Sequence, residues 1–340
     1  MLDFVRIGRQ INRGGQVEVY PQFLIPTHKE FEDIMVRGTD FYAVWDEKNG
    51  VWSTKEMTAN RIIDEMLAEY VEKNKDMLGM NPRIMWMGYG DTGMIDRFHH
   101  YCQKQLRPSF EHLDDTLVFA NTVTTRETKS TKRLPYSLEP GPTDAYDKLM
   151  STLYTPEERH KIEWCIGAIV TGASKKLQKF LVLYGSGGTG KSTVINIIEK
   201  LFQGYTCTFD AKALGSSTNQ FALEPFKDNP HVAIQHDGEL DKLDTNVRIN
   251  SIVSHEWLVV NEKYKGTYPA KFGCFLVIGT NKPVKITDAK SGLIRRLIDV
   301  TPSGNKLPVE EYDRVVNLIN FELGAIACKC RDVYLSDLRY

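Results

Sequence analysis

Short apolar runs along the chain predict strands, and apolar residues at helical spacing predict helices between them. Three segments that contain short apolar runs predict buried strands, at residues 180–184, 231–236 and 275–281. Three apolar stripes predict helices, at residues 58–71, 155–172 and 193–202. From residue 155 onward, strands and helices therefore follow one another, which is typical of an α/β domain with a central parallel sheet.

The amino-terminal part predicts a small hairpin. The segment from Phe41 to Trp52 places apolar residues on both sides of Asn49-Gly50, a pair that supplies the positive φ angles of a tight turn. Trp45 and Trp52 flank that turn. We interpret these tryptophans as core aromatics, in preference to platforms on which nucleic-acid bases stack.

Composition narrows the class of protein. A chain of 340 residues with 41% hydrophobic and 26% charged residues is ordinary for a soluble protein of about two domains. Its net charge of −1 excludes a basic surface over the whole molecule, so nucleic acid would meet a local patch. Scattered cysteines indicate reduced thiols and a cytoplasmic location. We find no secretory signal and no apolar run of membrane-spanning length, so we expect no membrane partner.

A phosphate-binding loop lies between the first strand of the carboxy-terminal half and the helix after it. Residues 185–192 read G-x-x-x-x-G-K-S. Glycines let the backbone N–H groups curl around phosphates, and the helix N-terminus adds positive charge. We therefore expect ATP and Mg²⁺, with Lys191 on the β- and γ-phosphates and Ser192 on the metal. The nucleotide-binding residues are predicted to be Gly185, Ser186, Gly187, Gly188, Thr189, Gly190, Lys191, Ser192 and Thr193. The alternative is a flexible Gly/Ser turn.

Acidic and polar side chains follow the next two strands. Asp237 and Glu239 come after the strand at 231–236, where a carboxylate holds Mg²⁺ or polarises the attacking water. We assign Asp237 to the metal and Glu239 to the base, although the roles could be exchanged. Asn281 ends the following strand and could contact the γ-phosphate or position the water. The alternative for the carboxylates is an ordinary acidic loop.

Two further features have a functional interpretation. Arg295 and Arg296 stand before the last strand and suggest an arginine finger, which neutralises charge on the transferred phosphoryl group. One of them could instead serve a structural salt bridge. Lys263, Tyr264 and Lys265 form the tip of a predicted hairpin, and cations interleaved with an aromatic ring suit single-stranded nucleic acid. A solvated hairpin is the alternative.

Together these motifs resemble those of the superfamily 3 helicases, in particular the phage and plasmid primase-helicases related to the poxvirus primase-helicase. The resemblance rests on residues 185–193, 231–239, 261–266, 279–283 and 291–297. It implies an AAA+ P-loop NTPase assembled as a hexameric ring that hydrolyses ATP between subunits. It also implies translocation on single-stranded or forked DNA during replication, in the host cytoplasm if a phage encodes the chain.

The resemblance also implies a domain arrangement. A capping-box helix start at Thr155 places the boundary between residues 143 and 155. The expected domains are a smaller, mixed, largely helical cap or collar at 1–150 and the helicase ATPase at 151–340. No primase domain is recognised, so the chain is expected to be either a stand-alone helicase or one segment of a longer replication protein. A primase or polymerase is among the expected partners. Two other classes remain, an initiator or helicase loader that does not unwind DNA and a small-molecule kinase.

Overall fold

The chain divides into two compact units. The computed structural model describes residues 1–24, 31–37, 40–86, 98, 100, 113–216, 218–238, 246–263, 267–282 and 292–337. Unit 1 comprises Met1–Asp115 and Val123–Lys132, and unit 2 comprises Thr116–Thr122 and Arg133–Tyr340. Residues 133–150 therefore belong to the second unit, not to the first domain as we expected. The reason is that a helix at Asp144–Leu153 packs against the last helix of the chain.

Unit 1 is built on two small sheets. Its strands are β1 (Val5–Ile11), β2 (Val17–Phe23), β3 (Ile34–Arg37), β4 (Asp40–Asp46), β5 (Val51–Ser53) and β6 (Arg83–Ile84). Its helices within the described residues are α1 (Glu56–Lys73) and α2 (Lys75–Leu78). One sheet has the order β1-β2-β6, the other β3-β4-β5, and α1 packs against both. The described residues of this unit contain more strand than we expected of a largely helical domain. Strands this short carry too little periodicity to be read from the sequence.

The predicted hairpin of unit 1 is confirmed. Strands β4 and β5 pair antiparallel with Trp45 opposite Trp52. In the turn Gly50 has φ of 61°, but Asn49 does not share the positive φ that we expected of the pair. Both tryptophans are buried and their ring centroids lie 5.5 Å apart, edge to face. Their indoles are therefore core residues, and the alternative that they form an exposed stacking surface is excluded.

Unit 2 contains a parallel sheet of five strands in the order β13-β7-β12-β9-β8. These strands are β7 (Phe180–Tyr184), β8 (Thr206–Thr208), β9 (Val232–Gln235), β12 (Phe275–Thr280) and β13 (Leu297–Val300). A separate antiparallel hairpin consists of β10 (Trp257–Val260) and β11 (Tyr268–Lys271). The helices described in this unit are α3 (Asp144–Leu153), α4 (Pro156–Val170), α5 (Lys191–Leu201), α6 (Ala211–Gly215), α7 (Val247–Val253) and α8 (Val309–Ser336).

Both faces of this sheet are covered. Along β7, Leu181 and Leu183 join one apolar cluster while Phe180 and Val182 join the other, as the period of a strand requires. Residues of α3, α4, α5 and α8 complete the first cluster, and residues of α6, α7 and the β10–β11 hairpin complete the second. A parallel sheet buried on two sides explains why β7 and the first four residues of β12 are continuously apolar. Among the described helices, none combines the length and the apolar character that a bilayer span requires.

A polar cluster joins three helices of unit 2. Asp147 on α3 accepts hydrogen bonds from Arg159 on α4, from Lys329 on α8 and, over 2.9 Å, from the hydroxyl of Thr143. Helix α4 begins at its predicted N-cap, because the Thr155 hydroxyl accepts a hydrogen bond from the N–H of Glu158 over 3.4 Å. The Glu158 carboxylate does not complete the expected capping box, because it accepts from the N–H of Thr301 and from Lys161 instead. These contacts hold the helical layer that supports the phosphate-binding loop.

Candidate functional site

The parallel sheet brings three predicted site segments to one edge. In a parallel sheet all strands end on the same side, and ligands bind outside those carboxyl ends. Gly185 follows β7, Asp237 follows β9 and Asn281 follows β12. Strand β12 lies between the other two, so the residues that follow these strands are neighbours in space.

The phosphate-binding loop has the backbone that its glycines permit. Gly185, Gly188 and Gly190 have φ angles of 152°, 77° and 85°, values that residues with a Cβ rarely adopt. A Cβ on Gly190 would also lie 2.5 Å from a methyl carbon of Leu153. Gly190 immediately precedes α5, so the loop leads directly into a helix N-terminus whose first N–H groups lack intrahelical partners.

Lys191, Asn281 and Asp237 form one hydrogen-bonded chain at this edge. The Lys191 ammonium donates to the Asn281 carbonyl oxygen over 2.6 Å. The Asn281 amide donates to the Asp237 carboxylate, with distances of 3.1 and 3.3 Å to its two oxygens. Lys191 Nζ itself lies 3.9 Å from Asp237 Oδ1. Burial lowers the pKa of the Lys191 ammonium, and the negative charge of Asp237 only partly opposes that shift.

The donor set at this edge fits a nucleotide with Mg²⁺. The Asp237 side chain is 67% exposed, so its carboxylate is open to solvent while the amide of Asn281 orients it. Ser192, the other predicted metal ligand, is exposed at the start of α5. Within the described residues no group of three or more His, Cys, Asp or Glu could hold a metal. Phosphate oxygens and water would therefore have to complete the coordination, as is usual for Mg²⁺ bound with a nucleotide.

Glu239, the predicted base, lies outside the described residues, so its role stays a prediction. His236, which precedes Asp237, contacts the carboxylate of Glu199 on α5 over 2.9 Å. That contact joins the end of β9 to the helix that follows the phosphate-binding loop, and it fixes the backbone from which Asp237 projects.

The structure does not bring Arg295 and Arg296 to the phosphate-binding loop of their own chain. They lie just before β13, whose first residue Leu297 pairs with Phe180, the first residue of β7. Lys179 donates to the carbonyl oxygen of Arg295 over 2.9 Å. The phosphate-binding loop follows the opposite end of β7. At about 3.3 Å per residue, the length of β7 separates the two ends by roughly 13 Å.

The two arginines have different environments. Arg296 is buried and donates to the carbonyl oxygen of Gly292 over 2.9 Å and to the Ser254 hydroxyl over 2.7 Å. Burial, with a smaller contribution from Arg295, lowers the pKa of its guanidinium. Arg295 is exposed. Arg296 therefore has a structural role through hydrogen bonds to two neutral acceptors, and among the described residues it forms no salt bridge of the kind that we considered. Arg295 is left as the candidate finger.

The predicted hairpin between Asp237 and Asn281 is confirmed. Strands β10 and β11 pair from Trp257 with Lys271 to Val260 with Tyr268, and Lys263 is exposed just after β10. Tyr264 and Lys265 lie outside the described residues. Trp257, which is 68% exposed, is a candidate functional residue that the sequence motifs did not include. The signal was the alternation in β10, where Leu258 and Val260 pack inward and leave Trp257 and Val259 on the outer face.

A second feature that sequence analysis missed is the segment at residues 301–308, between β13 and α8. A Cβ built on Gly185 would lie 3.3 Å from Pro302 Cγ, and one built on Gly188 would lie 3.2 Å from Lys306 Nζ. This segment therefore lies against the phosphate-binding loop. No motif marks it, because its residues are far from the loop in sequence.

The fold and this edge define the class: an α/β protein with a glycine loop at the carboxyl end of a parallel strand, compatible with P-loop NTPases. Residues 183–296, less than half of the chain, match the family described as "Family of unknown function (DUF5906)". No curated protein matches the sequence.

Two solved structures of the C-terminal region of NrS-1 are similar to this chain. The A form apo structure of that region has a TM-score of 0.51 and 13% identity, over 89% of this chain and 69% of that one. The apo structure of its residues 305–718 has a TM-score of 0.51 and 12% identity, over 90% and 71%. At such identities the similarity shows a shared fold.

Proposed function

We propose that this chain is an ATP-driven replicative DNA helicase of superfamily 3 with an AAA+ core, which translocates on single-stranded DNA as a ring. The observation that carries the proposal is the hydrogen-bonded chain of Lys191, Asn281 and Asp237 beside the phosphate-binding loop. A cation, a polar amide and a carboxylate beside a glycine loop support this proposal, because an ATPase uses these groups to handle phosphates, the attacking water and the metal.

Each residue of the site has a defined task in hydrolysis. The loop N–H groups bind the phosphates, and Lys191 exchanges its hydrogen bond with Asn281 for one with the γ-phosphate. Asn281, released from Lys191, orients the water that attacks phosphorus, and ADP leaves as the bond to the γ-phosphoryl group breaks. Ser192 and Asp237 would hold Mg²⁺, which when bound neutralises phosphate charge. Glu239 is proposed as the base that accepts the proton of the water.

The hairpin connects this site to DNA. In the chain, β10 and β11 lie between the strand that ends at Asp237 and the strand that ends at Asn281. The hairpin is therefore connected in the chain to both strands that carry site residues. The exposed Trp257 offers a surface on which a base can stack. Lys271, which is its cross-strand neighbour, and Lys263 offer ammonium groups to the phosphates. This combination suits a single strand of DNA. Tyr264 and Lys265 at the tip are proposed to act with them.

The position of Arg295 supports assembly. Because it lies at the amino edge of the sheet, it cannot reach the phosphates bound to its own chain, and it would act on the nucleotide of a neighbour. Such a head-to-tail contact closes into a ring when the rotation allows, which we propose to be hexameric. A ring also repeats Lys263 around its channel, so a net charge of −1 per chain is compatible with DNA binding.

The test is to measure ATP hydrolysis with and without single-stranded DNA, and strand displacement from a forked duplex. Electron microscopy with a non-hydrolysable ATP analogue and the same fork would report the assembly. A helicase displaces the strand and forms a ring. Hydrolysis without displacement would favour the initiator or loader function, and a monomer that phosphorylates a metabolite would overturn both. A primase or polymerase partner and a cytoplasmic location remain predictions.

A further inference from the structure

The segment at residues 301–308 is fastened beside the phosphate-binding loop. The N–H of Ser303 donates to the carbonyl oxygen of Leu153 over 2.8 Å. The hydroxyl of Ser303 donates to the carbonyl oxygen of Thr152, also over 2.8 Å. The N–H of Thr301 donates to the Glu158 carboxylate over 2.7 Å. The start of the segment is therefore held by α3 and α4, the helices that also support the loop.

The other end of the segment is held by the helix that follows the loop. Tyr312, in the first turns of α8, shares a hydrogen bond of 2.6 Å with the hydroxyl of Thr193 on α5. Thr193 directly follows Ser192 of the loop motif. Lys306 therefore projects from a short stretch of chain whose two ends are both tied to the elements around the phosphate-binding loop.

The Lys306 ammonium points at the middle of the loop. A Cβ built on Gly188 would lie 3.2 Å from Lys306 Nζ, so the ammonium approaches the loop backbone closely. Lys306 is exposed, and in the part of the chain that the structure describes no carboxylate lies within ion-pair distance of it. Lys191 and the N-terminus of α5 already place positive charge at this loop. An anion is the ligand that would complete such an arrangement.

We propose that Lys306 is a phosphate-binding residue of the nucleotide site, supplied by the segment between β13 and α8. Its ligand is the polyphosphate of a nucleoside di- or triphosphate. The inference rests on the proposed function, since it assumes that the loop binds a nucleotide. Lys306 would be a second lysine at the phosphates, remote in sequence from the loop. Its contact would link the start of α8 to the bound nucleotide. An ammonium contacts phosphate as a point charge and can be replaced by guanidinium with partial retention.

The test compares Lys306→Ala, Lys306→Arg and Lys306→Glu with the wild type in titrations with a fluorescent ATP analogue. Tripolyphosphate and adenosine serve as competitors. Lys227→Ala is the matched control, because Lys227 is an exposed lysine on unit 2 that precedes β9 at the amino edge of the sheet. Circular dichroism and thermal unfolding establish that each variant is folded.

We expect Lys306→Ala to weaken binding of the ATP analogue and of tripolyphosphate by roughly three- to tenfold. Lys306→Glu should weaken it further, Lys306→Arg should retain most affinity, and Lys227→Ala should bind as the wild type does. Adenosine should compete equally in all variants, because it carries no phosphate. If the wild type and Lys306→Ala bind the ATP analogue with equal affinity, the role of Lys306 is overturned while the proposed function stands. A wild type that binds no nucleotide would overturn the proposed function, and the role of Lys306 with it.

Discussion

Lys191, the first residue of α5, donates a hydrogen bond of 2.6 Å from its ammonium to the amide oxygen of Asn281, which directly follows β12. The residues are 90 positions apart in the sequence. Their contact fixes the buried ammonium beside the phosphate-binding loop, and it couples that ammonium to Asp237 through the same amide. The ammonium has three N–H donors, so a phosphate bound at the loop can share Lys191 with Asn281 or replace Asn281 as its partner.

Lys191→Ala should lower ATP hydrolysis by about 100-fold or more, because it removes the cation that stabilises charge on the transferred phosphoryl group. The measurement is release of inorganic phosphate at saturating ATP. Thermal unfolding should show an intact fold, since the change also removes a buried charge that desolvation disfavours. Turnover near that of the wild type would show that the site is assigned to the wrong residues.

Lys263→Ala should leave basal ATP hydrolysis unchanged and remove its stimulation by single-stranded DNA, because Lys263 lies on the hairpin and not at the phosphate edge. Trp257→Ala should act in the same direction, by loss of a stacked base worth about 1–3 kcal/mol. Titration of hydrolysis with oligonucleotide measures both. Lys55→Ala, an exposed lysine of unit 1, is the control. Undiminished stimulation in both hairpin variants would remove the hairpin from the DNA site.

Arg295→Ala and Arg296→Ala should separate function from stability. Arg296→Ala should lower the free energy of unfolding by about 1–3 kcal/mol, because Ser254 and Gly292 lose buried hydrogen bonds. Arg295→Ala should leave unfolding within about 0.5 kcal/mol and reduce hydrolysis, with ATP binding retained. Urea titration and phosphate release measure the two effects.

A mixture of variants tests whether Arg295 acts on a neighbouring chain. In a mixed ring, an Arg295→Ala chain keeps an intact loop and a Lys191→Ala chain keeps an intact arginine, so some junctions contain both. Combining the two inactive proteins should therefore restore part of the hydrolysis. Activity no higher than that of the separate variants would rule out a shared site.

Asp147 should make the stability of the protein depend on pH. Burial raises the pKa of its carboxyl, but hydrogen bonds from Lys329, Arg159 and Thr143 outweigh that effect and lower the pKa below 3.8. A carboxyl with a lowered folded-state pKa stabilises the fold above its unfolded-state value, and that stability is lost as pH falls through the folded pKa.

Asp147→Asn should therefore lower the free energy of unfolding by about 1 kcal/mol at neutral pH, a value reduced by solvent screening of this partly exposed site. The difference from the wild type should shrink below about pH 4. Urea unfolding between neutral and acid pH measures it. Asp332→Asn is the control, since Asp332 is exposed and pairs with the adjacent Arg331. A difference that does not change with pH would contradict the interpretation.

Gly167→Ala should destabilise unit 2 strongly. A Cβ at this position would lie 2.0 Å from the carbonyl oxygen of Cys330, so α4 and α8 would have to separate. Overpacking of this kind costs about 1–3 kcal/mol, occasionally more. Thermal unfolding measures the loss. Gly14→Ala is the control, because its Cβ would come no closer than 3.4 Å to a neighbouring atom. Equal stability of the two variants would mean that the helix contact is looser than described.

Some secondary-structure elements of this protein could be predicted from adjacent residues in the sequence alone. The strand, loop and helix around Lys191 were predicted in place, because periodicity and glycine spacing are properties of adjacent residues. The Trp45–Trp52 hairpin and the β10–β11 hairpin were predicted for the same reason. The short strands of unit 1 were not, since strands of few residues gain their stability from partners distant in sequence.

The sequence by itself determined the phosphate-binding loop, the polar residues that end the neighbouring strands, and the α/β character of the carboxy-terminal half. Only the tertiary structure decided that Asn281 joins Lys191 to Asp237, that Arg296 is structural while Arg295 is exposed at the opposite edge, and that Lys306 reaches Gly188. The physical reason is that these relationships depend on the order of strands in the sheet and on which segments pack together. Such long-range pairings are set by burial and hydrogen bonding over the whole unit, and no local pattern encodes them.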